Sequence, residues 1–250
     1  MTIREAVKAQ RESIKNRSPK ERFSFFWEYY ALKTFVALIA LIVLVAFIVT
    51  MVTKKDYALT GMFFGAEASA SSEDYLADFA ENAGIDTSEN LLTVQFGPDI
   101  RMDQQVSTEI YQSMETFVAM VAAGSMDCFS ATPDLFLYYA YMDYAVDLRT
   151  VLTAEELTEL APYLYYIDAQ LIREQEADNG GYTDAYQKRP DPTKPEKMQD
   201  PIPVAISLEA ANETFLSTYR FPGTSIIGIC ASSQHRDNAL AFLRYCLAAE

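Results

Sequence analysis

The chain has 250 residues, half of them hydrophobic, with a formal charge of −15 at pH 7 and a single histidine. That acidity disfavours nucleic acid and other polyanions as partners. Three cysteines (Cys128, Cys230 and Cys246) are too few for a disulfide framework. One pair can bridge in an oxidising compartment, but each lies among apolar residues, where a buried thiol is the ordinary state.

Residues 1–33 form a basic and aromatic tail, with eight basic against four acidic side chains. Phe23, Phe25, Phe26, Trp27, Tyr29 and Tyr30 gather near its end, the placement of amphipathic rings at a bilayer headgroup layer. No charge lies between Lys33 and Lys54, and residues 34–53 are apolar on almost every face. At about 1.5 Å rise per residue they predict a transmembrane helix of about 30 Å. Lys15, Arg17, Lys20, Arg22 and Lys33 precede the span, and only Lys54 and Lys55 follow closely. The bias predicts a single-pass cell-membrane protein with its N-terminus cytoplasmic and its C-terminal domain extracellular. A cleaved signal peptide is the rival reading. Its Ala-x-Ala patterns (Ala66/Ala68, Ala68/Ala70) begin more than a dozen residues after the apolar run, too far for such a site.

Residues 56–250 are enough for one sizeable domain. Beyond the span there are 12 basic and 31 acidic residues, a formal charge of 12 − 31 = −19. "DYALTGMFFG" reads as a strand, followed by a small-residue loop. Ser71 is placed to cap the helix "SEDYLADFAENAG", which Gly84 stops. "NLLTVQFG" is a second strand. "STEIYQSMETFVAMVAAG" is a helix with Ile110, Met114, Phe117, Val118 and Val121 at the helical period and Gly124 at its end. "MDCFS" is a short strand, and "ATPDLFLYYAYMDYA" a helix with Thr132 as cap and Pro133 at its first position. "TAEELTELAPYLYYIDA" predicts another helix, with Thr153 and Glu156 as a capping box. Pro and Gly between 176 and 203 predict a long loop. The strand "PVAIS", a short helical segment near "ANETFLSTY", the strand "TSIIGICAS" and the helix "RDNALAFLRYCLAAE" complete the chain. The alternation predicts an α/β domain: a parallel-type sheet with helices on both faces.

The run "MVAAGSMDCFSATPDLFLYYA", then "VDLRTVL", together with "SIIGICASSQHRDNALAFLRYCL", resembles segments of bacterial extracellular solute-binding proteins of the periplasmic-binding-protein type. "FSFFWEYYALKTFVALI" resembles the anchor of surface proteins from Gram-positive-type bacteria. The resemblance implies one lobe of a two-lobed binding fold. Only residues 143–202 remain to build the other lobe, which implies a small or vestigial one.

No chemistry-bearing motif accompanies this fold. His235 is alone, no Gly-x-Ser-x-Gly elbow or phosphate loop occurs, and the usual zinc sets cannot be assembled. The expectation is a non-catalytic protein without metal or cofactor. Open α/β sheets bind ligands at the carboxyl ends of their strands, which makes Asp99, Arg101, Ser130, Thr132 and Asp134 the candidate ligand residues. Each also suits capping or turn formation. The partner is either an envelope protein or a small solute delivered to a transporter. Tyr138, Tyr139, Tyr141, Tyr144, Tyr163, Tyr165 and Tyr166 fall in helix patterns, where packing competes with an exposed docking role.

Overall fold

The computed structural model describes residues 18–20, 23–24, 27, 31–53, 55–102, 107–177 and 186–248. The chain divides into two compact units, Met1–Lys54 and Lys55–Glu250. In the first, helix α1 (Ala31–Thr53) is long and apolar enough over Ala31–Met51 to cross a bilayer, and that stretch is nowhere buried by protein. Helix α1 starts before the predicted span and takes in Lys33. Phe23 and Trp27 are exposed and stacked, with ring centroids 6.2 Å apart. Phe25, Phe26, Tyr29 and Tyr30 lie outside the described residues.

The second unit runs β1 (Asp56–Phe64), β2 (Glu67–Ala68), α2 (Ser72–Ala83), β3 (Asn90–Gly97), α3 (Thr108–Ala122), β4 (Cys128–Ala131) and α4 (Pro133–Ala140). It continues with α5 (Ala154–Glu159), β5 (Leu164–Asp168), α6 (Ala169–Ala177), β6 (Pro201–Ser207), α7 (Glu213–Thr218), β7 (Tyr219–Arg220), β8 (Ile226–Ile229) and α8 (Arg236–Leu247). Six strands form one sheet in the order β3-β1-β4-β8-β6-β5, and β2 pairs with β7 in a separate ribbon. Strands β3, β1 and β4 are parallel, as the alternation predicts. The other half departs from that expectation. Strand β8 is antiparallel to both β4 and β6, and β5 is antiparallel to β6, so the sheet is mixed.

Side chains of the central strand alternate between two buried faces, which sets the layers. Along β1, Leu59 and Phe63 face one core with Phe79 of α2, Phe215 of α7 and Phe242 of α8. Met62 and Phe64 face the other, with Phe117 of α3 and Phe136 of α4. Phe129 stacks on Phe136 at 4.1 Å, and Phe117 meets Tyr139 at 4.7 Å. Fully burying one such ring contributes about 1.5–3 kcal/mol. Most of the tyrosines therefore go to packing: Tyr139 and Tyr141 are buried, and Tyr138, Tyr144, Tyr163, Tyr165 and Tyr166 are half-buried.

Several local expectations change. The helix read across 153–169 stops at Glu159. Pro162, which has no N–H to donate, sits in a 3-10 turn over Ala161–Tyr163, and the chain leaves it as strand β5. Ser107 caps α3, its Oγ accepting from the Ile110 N–H at 3.2 Å. Ser71 and Thr132 occupy cap positions without a side-chain cap bond. Val118 faces outward from α3. Residues 201–203 belong to β6, not to the loop. Before them, the Asp168 carboxylate accepts from Gln199 N and Asp200 N at 2.9 and 3.0 Å, and Tyr166 N donates to Pro192 O at 2.9 Å. That segment is pinned along the β5 edge.

At Gly228 a Cβ would lie 2.6 Å from both Phe136 Cζ and the Val204 carbonyl oxygen, and backbone cannot move aside cheaply. Gly228→Ala is expected to destabilise the domain by about 1–3 kcal/mol, read from the denaturant midpoint. Gly223→Ala, with nothing within 4 Å of its Cβ, serves as the near-neutral control. The capping box of α5 is also gripped by α8, Arg244 Nε donating to Glu156 Oε1 at 2.6 Å. Arg244 first, and the Thr153 N–H and hydroxyl after it, lower the Glu156 pKa from 4.5 to about 2. A depressed carboxylate contributes stability above its unfolded pKa and loses it as pH falls toward the folded one. Glu156→Gln is expected to cost about 0.5–1 kcal/mol at pH 7. The gap to wild type should close between pH 4.5 and about 2 in acid-unfolding curves.

Candidate functional site

The crossovers explain where a cleft forms. Helix α2 carries the chain from β1 to β3 over one face, and α3 carries it from β3 back past β1 to β4 over the other. The connections diverge at the carboxyl ends of β1 and β4, where an open sheet leaves a crevice. A cavity of about 550 Å³ lies there, lined by Asp99, Arg101, Thr132 and Asp134 and closed on one side by Pro222, Gly223 and Thr224. Four of the five predicted ligand residues therefore meet.

Ser130 is the exception. It is fully buried in β4, and its Oγ has no hydrogen-bond partner among the described residues. The loop after β1 also contributes less than expected, because Glu67 and Ala68 pair with Arg220 and Tyr219 in the ribbon. Gly65, at φ 76°, brings the end of β1 against Asp99, where an added Cβ would sit 3.4 Å from the Asp99 Cα.

Thr132 Oγ1 donates to the Ile100 carbonyl at 3.5 Å, a long and weak bond that ties the β3 and β4 loops. Asp134 is ion-paired with Arg189, whose Nη2 donates at 2.6 Å. The same guanidinium donates to Tyr186 O at 2.9 Å and lies 3.8 Å over the Tyr186 ring. Arg189 is thus a site residue that the sequence reading missed, since it sits among prolines far from any strand end. The cleft carries both signs of charge, with hydroxyl and backbone groups between them.

No protein-family model, characterised protein or solved structure matches this chain.

A second polar cluster lies at the opposite, amino end of β4, and the sequence reading missed it too. The Asp127 side chain is 0% exposed. Its carboxylate accepts from Thr60 N at 2.7 Å, Ser233 Oγ at 2.7 Å and His235 N at 3.3 Å, with His235 Nδ1 at 3.4 Å. These residue types match a nucleophile, a base and an acid, but the geometry does not. Ser233 gives its proton to the carboxylate and not to the imidazole, whereas a nucleophilic pair needs the base beside the hydroxyl. Among the described residues no cluster of His, Cys, Asp and Glu could hold a metal ion. All three cysteines are free and buried, and burial pushes each thiol pKa up, away from the reactive thiolate.

The Asp127 cluster yields a prediction. Asp127→Ala strands donors from two chain segments, Thr60 N in β1 and Ser233 Oγ and His235 N in the β8–α8 turn, each worth about 1–3 kcal/mol when left unpaired. The variant is expected to lose about 3 kcal/mol or more of unfolding free energy. Arg101→Ala, at an exposed position in the cleft, should cost no more than about 1 kcal/mol.

Proposed function

We propose that the chain is a single-pass membrane protein displaying a non-catalytic interaction domain outside the cell, N-terminus inside. The observation that carries this reading is the course of residues 143–200. They supply α5, β5 and α6 and extend the same sheet, so among the described residues the carboxyl-end cleft has one wall. A receptor that encloses a small solute needs a second wall to desolvate it. An open, two-signed cleft suits a protein surface better, because small-molecule sites bury most of their ligand. The apolar helix α1 and the basic, aromatic tail before it support anchoring and orientation.

The alternative is a shortened solute-binding protein that delivers a small ligand to a transporter. The two runs that carry that resemblance are joined by Asp127, which holds the "SSQHRDNAL" turn onto the start of β4, and this coherence favours keeping the alternative. Thermal unfolding of the detergent-solubilised chain against free sugars, amino acids and divalent cations separates the two. A ligand at a hundredfold excess over its Kd adds about 2.7 kcal/mol, a rise of roughly 5–10 °C for a domain this size. No class of solute is expected to produce it, whereas crosslinking on intact cells should recover a defined protein partner. A reproducible rise abolished by Arg101→Ala would overturn the interaction reading in favour of a solute receptor.

A further inference from the structure

The two edges of the main sheet are treated differently. At one edge, β5 is short and the pinned segment 186–200 donates and accepts along it. At the other edge, β3 is eight residues long and pairs only with β1. Among the described residues its outer rim has one hydrogen bond, at its first residue, where Asn90 N donates to Asp86 O at 3.0 Å, and none from Leu92 to Phe96.

Soluble proteins blunt such edges with charge, proline, a bulge or shortness. Strand β3, "NLLTVQFG", contains no charged residue and no proline. Leu91 is 41% exposed and Phe96 42%, one toward each face of the sheet. Tyr111 and Val118, two turns apart on α3 and both exposed, add an apolar stripe on one of the helices beside it.

The surroundings state what kind of strand would fit. From Lys55 to Leu148 there are sixteen acidic residues and two basic ones, Arg101 and Lys55, the latter donating to Thr87 O at the entry to β3. Helices α2 and α3, the crossovers on either side of β3, carry Glu73, Asp74, Asp78, Glu81, Glu109 and Glu115 and no lysine or arginine. A second copy of this chain would bring two such fields together across one strand, and like charges at close quarters oppose association. A cationic segment would be drawn in by the same field.

We infer that the β3 edge is a strand-addition site for an extended, lysine- or arginine-flanked segment of a partner protein, with an uncharged centre that continues the sheet. Main-chain hydrogen bonds supply the affinity, Leu91 and Phe96 supply side-chain contacts, and the acidic helices select the flanks. This surface rests on the interaction reading above and names the partner's chemistry.

The test uses the full chain in phosphatidylcholine nanodiscs. Two peptides share a core of alternating threonine and valine; one has paired lysines at both ends, the other paired glutamates. At low salt the lysine-flanked peptide is expected to bind at least about tenfold more tightly. It should slow amide exchange across 91–96 and weaken severalfold on Leu91→Lys, with the variant's Tm unchanged. Equal binding of the two peptides, no binding of either, or protection confined to another part of the domain would overturn the site. So would concentration-dependent self-association that Leu91→Lys abolishes, since the occupant would then be a second copy. These failures leave the interaction reading standing if crosslinking still recovers a partner. A solute-induced rise in Tm removes that reading whatever the peptides do.

Discussion

The buried carboxylate of Asp127 joins the segments on which the rest of the domain is assembled. Its oxygens tie β1 through Thr60 N and the β8–α8 turn through Ser233 and His235. Its own backbone completes the arrangement, with Asp127 N donating to Thr60 O and Asp127 O accepting from Cys230 N, both at 2.8 Å. A charge in a dry site persists only when hydrogen bonds replace its water. Here those bonds come from two stretches of chain, β1 and the β8–α8 turn, each far from Asp127 in sequence, so the carboxylate is satisfied only when both are in place. Ser232 Oγ extends the joint by donating to Val121 O, and Gln234 lies against the positive-φ Gly124 that ends the α3 segment. The cost of leaving any one donor unpaired makes this end of the sheet cooperative.

With that end fixed, the antiparallel entry of β8 beside β4 follows. The turn at 230–235 must return to Asp127 at the start of β4, so β8 arrives running against it. Gly228 then allows the Phe136 ring of α4 and the Val204 backbone of β6 to close on β8. Strands β6 and β5 extend the sheet beyond it. Among the described residues, the strands that follow β4 in the sheet thus add to the same layer.

Much of this was legible in the sequence where one period dominated. Strands β1, β3 and β6, helix α3 and the capping box at Thr153 and Glu156 all carry local signals that tertiary contacts do not contradict. The failures have separate physical causes. "YLYYID" is too short for its period to distinguish strand from buried helix, and Pro162 marked the break without saying what followed it. Strand direction in the β8 half is set by long-range pairing, which has no local signature. At the site, strand ends located Asp99, Arg101, Thr132 and Asp134, because a crossover topology fixes where loops converge. Arg189 and Asp127 were invisible for opposite reasons. Arg189 reaches Asp134 across 55 positions of sequence. Asp127 carries no motif that gives it a role, although an acid directly before a short strand of small and apolar residues is the signal that it is held inside.

Charge distribution then decides how the cleft and the β3 edge differ. In the cleft, Arg189 crosses from the second half of the chain to neutralise Asp134, and Arg101 stands in the same cavity as Asp99. Opposite signs are matched locally there, so the cleft projects little net field. Beside β3 such compensation is confined to its start, where Lys55 Nζ donates to Thr87 O, and the flanking helices α2 and α3 carry acidic side chains and no basic ones. At physiological salt that field decays over about 8 Å, farther than the roughly 5 Å between neighbouring strands. A segment close enough to hydrogen-bond with β3 is therefore still inside the field, whereas one in bulk solvent is not. Selectivity for cationic flanks is thereby coupled to strand addition, and the uncharged centre of β3 leaves the main-chain contact free of desolvated charge.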